Sequence, residues 1–454
     1  MNDMKVVIFG AGRRGLRLAK HLIKERKEVT FLDSSQERCA AALAKLDCMA
    51  VCGSATDMES LIEAGCDSAD AVIAVTDSDE TNLVSCGIVA SQWPKVMTIS
   101  SIRAISYLGS KSYNKKILGI THIVNPEQEA ASRIAGIIQS GLFSDIIYFK
   151  GTEFILFTKR ISSDSPFAGM SLIEMKKSFP GRYVVAGIKR NGKAFTPSGS
   201  TIITAGDEVA IVADDDESTG IFSDLGGIVP TKLKRTIMVG GTRIAAYLLR
   251  QMPKRLLHRM TLIEKDVAVC NEFVQEFPSM LVINGSVTDE QMWEEEAIER
   301  ADLMISITEN DELNIITASY AKKIGVKRSI ALIKTNPNYI GFARQMDIDA
   351  PISTTDATVD TLMRYIRGEG VSALHSTFDG ELEVYEYVLS ENFKELGKTL
   401  KDVNLKGKCI IAGVKRSKLD NFIPDGSYTF TAKDTVLVAA THEDYDFVTE
   451  FFGA

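Results

Sequence analysis

No run of eighteen apolar residues occurs in this sequence of 454 residues, so nothing in it has the length and apolarity of a bilayer-spanning helix. Basic clusters are missing too. The net charge is −8 at pH 7, and no stretch gathers the lysines and arginines that would neutralise a phosphate backbone, which excludes nucleic acid as the main partner. Cysteine is sparse: Cys39, Cys48, Cys52, Cys66, Cys86, Cys270 and Cys409, with no C-x-x-C pair, so reduced structural thiols are expected. The five histidines are scattered without metal-ligand spacing, and no metal site is expected. Charged residues or glycine break the early apolar segments, so no signal peptide is expected and the location is read as cytoplasmic. The composition, 45% hydrophobic and 25% charged, is that of a globular protein long enough for two to four domains.

The chemistry is concentrated in residues 6–33. An apolar run at 6–9 suits a buried parallel strand. Gly10, Gly12 and Gly15 follow at G-x-G-x-x-G spacing, and Leu16, Leu18, Ala19, Leu22 and Ile23 then recur at helical spacing. A second strand at 29–32 ends in Asp33. This is the strand–turn–helix–strand unit in which a helix N-terminus receives a phosphate. Gly10 makes the tight turn, Gly12 lets the backbone approach a pyrophosphate, and Gly15 lets helix pack on strand. Asp33 stands where an acid accepts hydrogen bonds from an adenosine ribose, which disfavours a 2′-phosphate and hence NADP.

Further strands are predicted at 49–52, 71–75, 96–100 and 120–124, with helices between them; such alternation makes a doubly wound parallel sheet. Ligands bind at the carboxyl ends of strands in such sheets, where Gly10, Asp33, Ser54, Thr76, Asp77 and Arg103 all lie. Asn125-Pro126 opens a helix with Ala130, Ile134 and Ile138 on one apolar face. Short alternating strands at 146–149, 153–161, 183–190 and 209–212 then read as a small α+β lobe.

From residue 236 the chain restates itself. Thr236 to Ala245 repeats the opening, Glu264 ends a strand as Asp33 does, and Gly285-Ser286-Val287-Thr288-Asp289 restates Gly53-Ser54-Ala55-Thr56-Asp57. Thr308 to Asn314 restates Thr76 to Asn82. In the small lobes, Ala186-Gly187-Ile188-Lys189-Arg190 matches Ala412-Gly413-Val414-Lys415-Arg416. The repeat departs at the turn: Thr242 replaces Gly12 and Ala245 replaces Gly15. A β-branched side chain at 242 crowds the phosphate approach, so the two lobes are expected to differ in affinity.

These features resemble the TrkA family of tandem RCK, or KTN, regulatory proteins of bacterial Trk potassium uptake. The resemblance implies two Rossmann-like lobes (1–126 and 232–350), crossover helices (127–144 and 351–370) and two small RCK C-terminal lobes (145–228 and 371–454). It implies a regulator that is not an enzyme, binds NAD(H) or ATP/ADP, assembles as a homo-oligomeric dimer or tetramer ring, and lies peripherally on the inner face of the membrane. There it would gate a membrane-embedded, TrkH-like potassium-conducting subunit. Carried onto this chain, Gly10, Ala11, Gly12, Arg13 and Arg14 would hold the phosphates, Asp33 the ribose, and Thr76 with Asp77 the strand end, while Arg103 closes the site. The matching second-lobe positions are Gly240, Gly241, Thr242, Arg243, Ile244, Glu264, Thr308 and Glu309. The alternative, an NAD-dependent oxidoreductase, needs an acid or base at the nicotinamide, and the small lobes offer no convincing set.

Overall fold

The computed structural model describes residues 4–104, 117–140, 146–149, 152, 154–214, 233–336, 338–366, 371–417 and 420–452. Apolar runs without alternation become strands covered on both faces. Strands β1 (Lys5–Phe9), β2 (Glu28–Asp33), β3 (Met49–Cys52), β4 (Ala71–Ala74), β5 (Met97–Ser101) and β6 (His122–Val124) pair in parallel in the order β3-β2-β1-β4-β5-β6. Helices α1 (Arg13–Lys24), α2 (Gln36–Lys45), α3 (Met58–Glu63) and α4 (Asp79–Gln92) wind between them. Ser35, Asp57 and Ser78 cap the last three through their side chains. The order reverses between β1 and β4, which opens a crevice at their carboxyl ends. Helix α5 (Pro126–Ser140) leaves this lobe with Ala130, Ile134 and Ile138 buried.

The first small lobe is antiparallel, ordered β10-β9-β11-β8-β7, from β7 (Ile146–Tyr148), β8 (Phe154–Arg160), β9 (Tyr183–Arg190), β10 (Lys193–Phe195) and β11 (Glu208–Asp214). It also contains α6 (Leu172–Ser178), opened by a capping box between Ser171 and Glu174. The second large lobe repeats the first. Its strands β12 (Thr236–Val239), β13 (Met260–Glu264), β14 (Leu281–Asn284), β15 (Leu303–Ser306), β16 (Arg328–Ile333) and β17 (Ala350–Ser353) run β14-β13-β12-β15-β16-β17, all parallel. Helices α7 (Arg243–Gln251), α8 (Lys254–Leu257), α9 (Val267–Glu276), α10 (Glu290–Glu295), α11 (Asp311–Ile324) and α12 (Tyr339–Gln345) connect them, and α13 (Thr354–Ile366) follows. Strands β18 (Val371–Thr377), β19 (Leu382–Val388), β20 (Cys409–Ser417), β21 (Asp420–Phe422) and β22 (Thr435–Thr441) form the second small sheet, ahead of α14 (Tyr445–Phe452). The expected domain limits at 144–145, 228 and 370 lie outside the described residues.

The chain divides into two compact units, one with both large lobes (Met1–Ala135 and Lys234–Ile366), the other with both small lobes (Gly136–Leu233 and Arg367–Ala454). Within the first unit each large lobe is bonded to the other half's crossover helix. Val359, Leu362, Met363 and Ile366 of α13 enter the core of the first lobe beside Val6, Ile8, Leu18 and Phe31. Reciprocally, the Asn125 amide donates to the Tyr247 hydroxyl at 2.9 Å, and Arg243 on α7 donates to Glu127 on α5 at 2.9 Å. Within the second unit the two small sheets share one core, Phe154, Leu156, Ala186 and Val212 against Leu382, Val384, Ala412 and Leu437. A Cβ on Gly187 would lie 2.4 Å from Leu382, and one on Gly413 would lie 2.9 Å from Phe154. The glycine repeated in the two small lobes thus marks where the facing sheets touch.

None of the seven cysteines is disulfide-bonded. Burial pushes the thiols of Cys66, Cys86 and Cys409 up to about 12, so they stay protonated and inert.

Candidate functional site

The first-lobe turn is shaped by close approach. Gly10 has φ +102°, and a Cβ there would lie 3.2 Å from the Thr76 backbone. A Cβ on Gly15 would come within 2.0 Å of the Gly10 carbonyl oxygen. Gly12 is different: it is the N-cap of α1, makes no side-chain capping bond, and a Cβ on it would meet nothing within 4 Å. The first turn of α1 therefore keeps its N–H groups for something outside the chain, and the helix dipole favours an anion there.

Asp33 is buried and ties β2 to this turn. Its carboxylate accepts the Ala11 N–H at 2.7 Å and the Ser35 N–H at 2.9 Å. Two adjoining depressions meet here. One, about 530 Å³, is lined by Asp33, Ser34, Ser35 and Glu37; the other, about 370 Å³, by Gly10 to Arg14, Thr76 and Asp77. Arg38 and Ala41 of α2 line both. Arg38 lies 3.9 Å from Asp33 and 3.9 Å from Asp77. Arg14 donates to the Ser101 hydroxyl at 3.3 Å and pairs with Asp77 at 3.5 Å. Burial, with Arg103 nearby, holds its guanidinium below the usual arginine value, so an incoming anion would be favoured.

Thr76 owes its place to Asn82, which accepts from its N–H at 3.0 Å and its hydroxyl at 2.7 Å while donating to the Ser101 carbonyl at 2.8 Å. Arg103 does not line either depression. Its backbone N–H and guanidinium are held by buried Asp79, at 2.9 and 3.3 Å, and it also donates to the Asp77 carbonyl. Ser54 also stands apart, bonded to Thr56 at 2.9 Å. The structure thus gathers Gly10 to Arg14, Thr76 and Asp77 around one opening, sets Asp33 on the adjoining one, and leaves Ser54 and Arg103 in the surrounding framework.

The second lobe keeps the frame and closes the turn. Gly240 has φ +102°, Glu264 accepts the Gly241 N–H at 2.6 Å and the Asp266 N–H at 2.9 Å, and Asn314 holds Thr308 as Asn82 holds Thr76. Thr242, however, caps α7: its hydroxyl accepts from Ala245 N–H at 3.4 Å and donates to the Ile307 carbonyl at 3.1 Å. Ile244, buried, stands where Arg14 supplies charge. Arg243 is drawn to Glu127, and Glu309 is paired with Lys334.

Sequence reading missed Arg38, Lys334 and Thr355, the last two reaching the first-lobe opening from the second half of the chain. For Arg38 a signal existed, since the Ser35 cap places residue 38 in the first turn of α2, beside Asp33. For Lys334 it was the repeat itself, which aligns it with Arg103.

Models of the TrkA-N domain match residues 6–126 and 236–354, and models of the TrkA-C domain match 158–219 and 384–453. The chain belongs to the TrkA family. The Trk system potassium uptake protein TrkA of Halomonas elongata is 29% identical over 91% of this chain and 91% of its own. That of Azorhizobium caulinodans is 28% identical over 99% of this chain and 98% of its own. Among solved structures, a GsuK channel bound to NAD matches with a TM-score of 0.57 at 16% identity, over 100% of this chain and 79% of that one. The GsuK RCK domain matches with a TM-score of 0.57 at 16% identity, over 100% of this chain and 95% of that one. In TrkA terms, each TrkA-N match runs from the first strand of a lobe to the start of its crossover segment, so the turn is built twice and left uncapped once.

Proposed function

We propose that this chain is the cytoplasmic regulatory subunit of a potassium uptake transporter. It binds NAD(H), or ATP/ADP, at the first large lobe and gates flux through a membrane-embedded, TrkH-like partner as a homo-oligomer on the inner face of the membrane. The observation that carries the reading is the uncapped start of α1 at Gly12, facing an opening lined by Arg14 and Arg38, in a chain of the TrkA family. The pyrophosphate would meet the N–H groups of the α1 turn, and the ribose would share Asp33 with Ala11 and Ser35. The second lobe, with its helix start capped by Thr242, would bind more weakly or serve as frame.

Binding at this crevice touches β1, β2 and β4 at once, so it favours one arrangement of the strand ends over another. Such a ligand shifts an equilibrium only if the two arrangements bind it unequally. Couplings of roughly 1–3 kcal/mol are typical, enough for a several-fold change in flux. An oxidoreductase would need a proton donor or acceptor at the nicotinamide, and the relatives named above are potassium uptake proteins, not dehydrogenases. The test is potassium flux through the reconstituted membrane partner, with this protein present, as NAD, NADH, ADP and ATP are varied. Flux indifferent to every nucleotide that binds would reject the regulatory reading.

A further inference from the structure

Lys334 follows β16 in the second lobe, yet it lines the first-lobe opening together with Gly10, Ala11, Gly12, Arg13 and Arg14. Its backbone is fixed: buried Asp311 accepts the Lys334 N–H at 2.8 Å and those of Thr335 and Asn336 at 2.8 and 3.0 Å. The Lys334 side chain is 20% exposed and is paired with Glu309, whose side chain is 68% exposed. An exposed carboxylate holds a partner weakly, since water and salt compete for both charges. The counterpart in the repeat, Arg103, has its guanidinium turned into its own loop by Asp79. Among the described residues the cross-lobe position of Lys334 is thus not matched by Arg103.

We propose that Lys334 reads the phosphates of a nucleotide in the first lobe and in doing so is transferred from Glu309 to the ligand. This rests on the nucleotide reading above and names the residue through which that site acts on the second lobe. The anionic ligand brings two or more negative charges to a place already furnished with α1 N–H groups and Arg14, and an ammonium that swings from a solvated carboxylate to a desolvated phosphate gains the stronger charge-assisted bond. The transfer has a consequence on the other side. Buried Glu127 bonds Arg243 through Oε1, and its Oε2 has no hydrogen-bond partner. Burial raises its pKa, Arg243 and Lys334 counter that, and Glu309 adds to it. Withdrawing the Lys334 charge leaves Glu309 uncompensated near Glu127, at the end of the second lobe that carries Arg243 and the Thr242 turn. Phosphate in one lobe is thereby registered as unbalanced charge at the turn of the other.

The experiment is calorimetric titration of the full chain with adenosine, ADP and ATP. Lys334→Gln is expected to weaken ADP and ATP about tenfold or more, the scale of one charge-assisted hydrogen bond, with adenosine unchanged. Lys334→Arg is expected to restore most of the loss. Glu309→Gln is expected to tighten ADP and ATP several-fold by releasing the ammonium, and to do nothing in the Lys334→Gln background. Equal affinity of wild type and Lys334→Gln for ADP would overturn the proposal while leaving nucleotide binding intact. An equal loss for adenosine would assign Lys334 a structural role and overturn it too. A wild-type chain that binds none of the three would overturn both readings, and an unchanged Glu309→Gln would remove the transfer.

Discussion

Gly12 and Thr242 occupy the same place in two copies of one turn, and the difference between them is one hydroxyethyl side chain. Because a Cβ on Gly12 meets nothing within 4 Å and its φ is −77°, the backbone there accepts a side chain, as it does at Thr242. Gly12→Thr imports the cap seen at Thr242, a gain of about 1 kcal/mol for an N-cap. Gly12→Thr is therefore expected to raise the melting temperature slightly while nucleotide affinity at the first lobe falls tenfold or more by calorimetry, a trade between stability and an open site. Thr242→Gly is expected to do the reverse in the second lobe; a mutant that gains no binding there would show that Ile244 and the Lys334–Glu309 pair also bar the ligand. Acid stability is expected to hinge on a residue outside either turn. Asp207, buried in the first small lobe, is pushed up by burial but pulled further down by Arg190, at 2.8 and 2.7 Å, and by Thr204. Its folded pKa lies below the ordinary value of about 3.9, so its contribution is complete above that pH and is lost as pH falls through the folded value. Asp207→Asn is expected to cost roughly 1–3 kcal/mol at pH 7, less than a fully buried pair because Arg190 is partly screened, and the deficit should shrink as pH falls through the lowered folded value.

At the scale of elements, the glycines at 187 and 413 set the spacing of the two small sheets. Gly187→Ala forces Leu382 aside and is expected to cost about 1–3 kcal/mol, with Leu382→Ala in the same chain recovering part of it; simple additivity of the two losses would mean that the sheets do not meet there. These glycines were legible as a repeat but not as a contact, because a repeat says that a position matters in both copies and not what faces it. The large sheets were legible in full. Their central strands are apolar runs and most of their helices open on a capping side chain, α1 being an exception, so local pattern and tertiary position agree. Helix α6 and strand β10 were not, being seven and three residues long. In α6 only Leu172, Ile173 and Met175 are apolar before Lys176 and Lys177 follow, too few for a helical period, and the one local signal is the Ser171–Glu174 capping box. The site divides the same way. The glycine turn and the place of Asp33 beside it were readable because their contacts are local, whereas Lys334 arrives through space from another lobe. Arg103 could be placed at a strand end from the sequence, but its bond to Asp79, which holds its guanidinium in its own loop, could not.

At the scale of the molecule, the crossover helices are exchanged between the halves. The first lobe has its core completed by α13, more than 200 residues away in the chain. A first half ending at 214 would therefore expose the groove that Val359, Leu362 and Met363 fill. Expressed alone, that half is expected to be insoluble or to dimerise, α5 of one copy taking the place of α13 on the other, and co-expression with residues 233–454 is expected to restore a soluble complex. A soluble, monomeric first half in sedimentation would show that α13 is dispensable. The exchange also explains how one turn came to be capped and the other not. In a homodimer built from half-chains, each substitution is made twice, and a change that closes one pocket closes its twin. Joined in one polypeptide, the halves mutate singly. One copy is free to change while the other stays, so the molecule can hold two unlike turns, one open and one closed by its own side chain, which no symmetric pair can have.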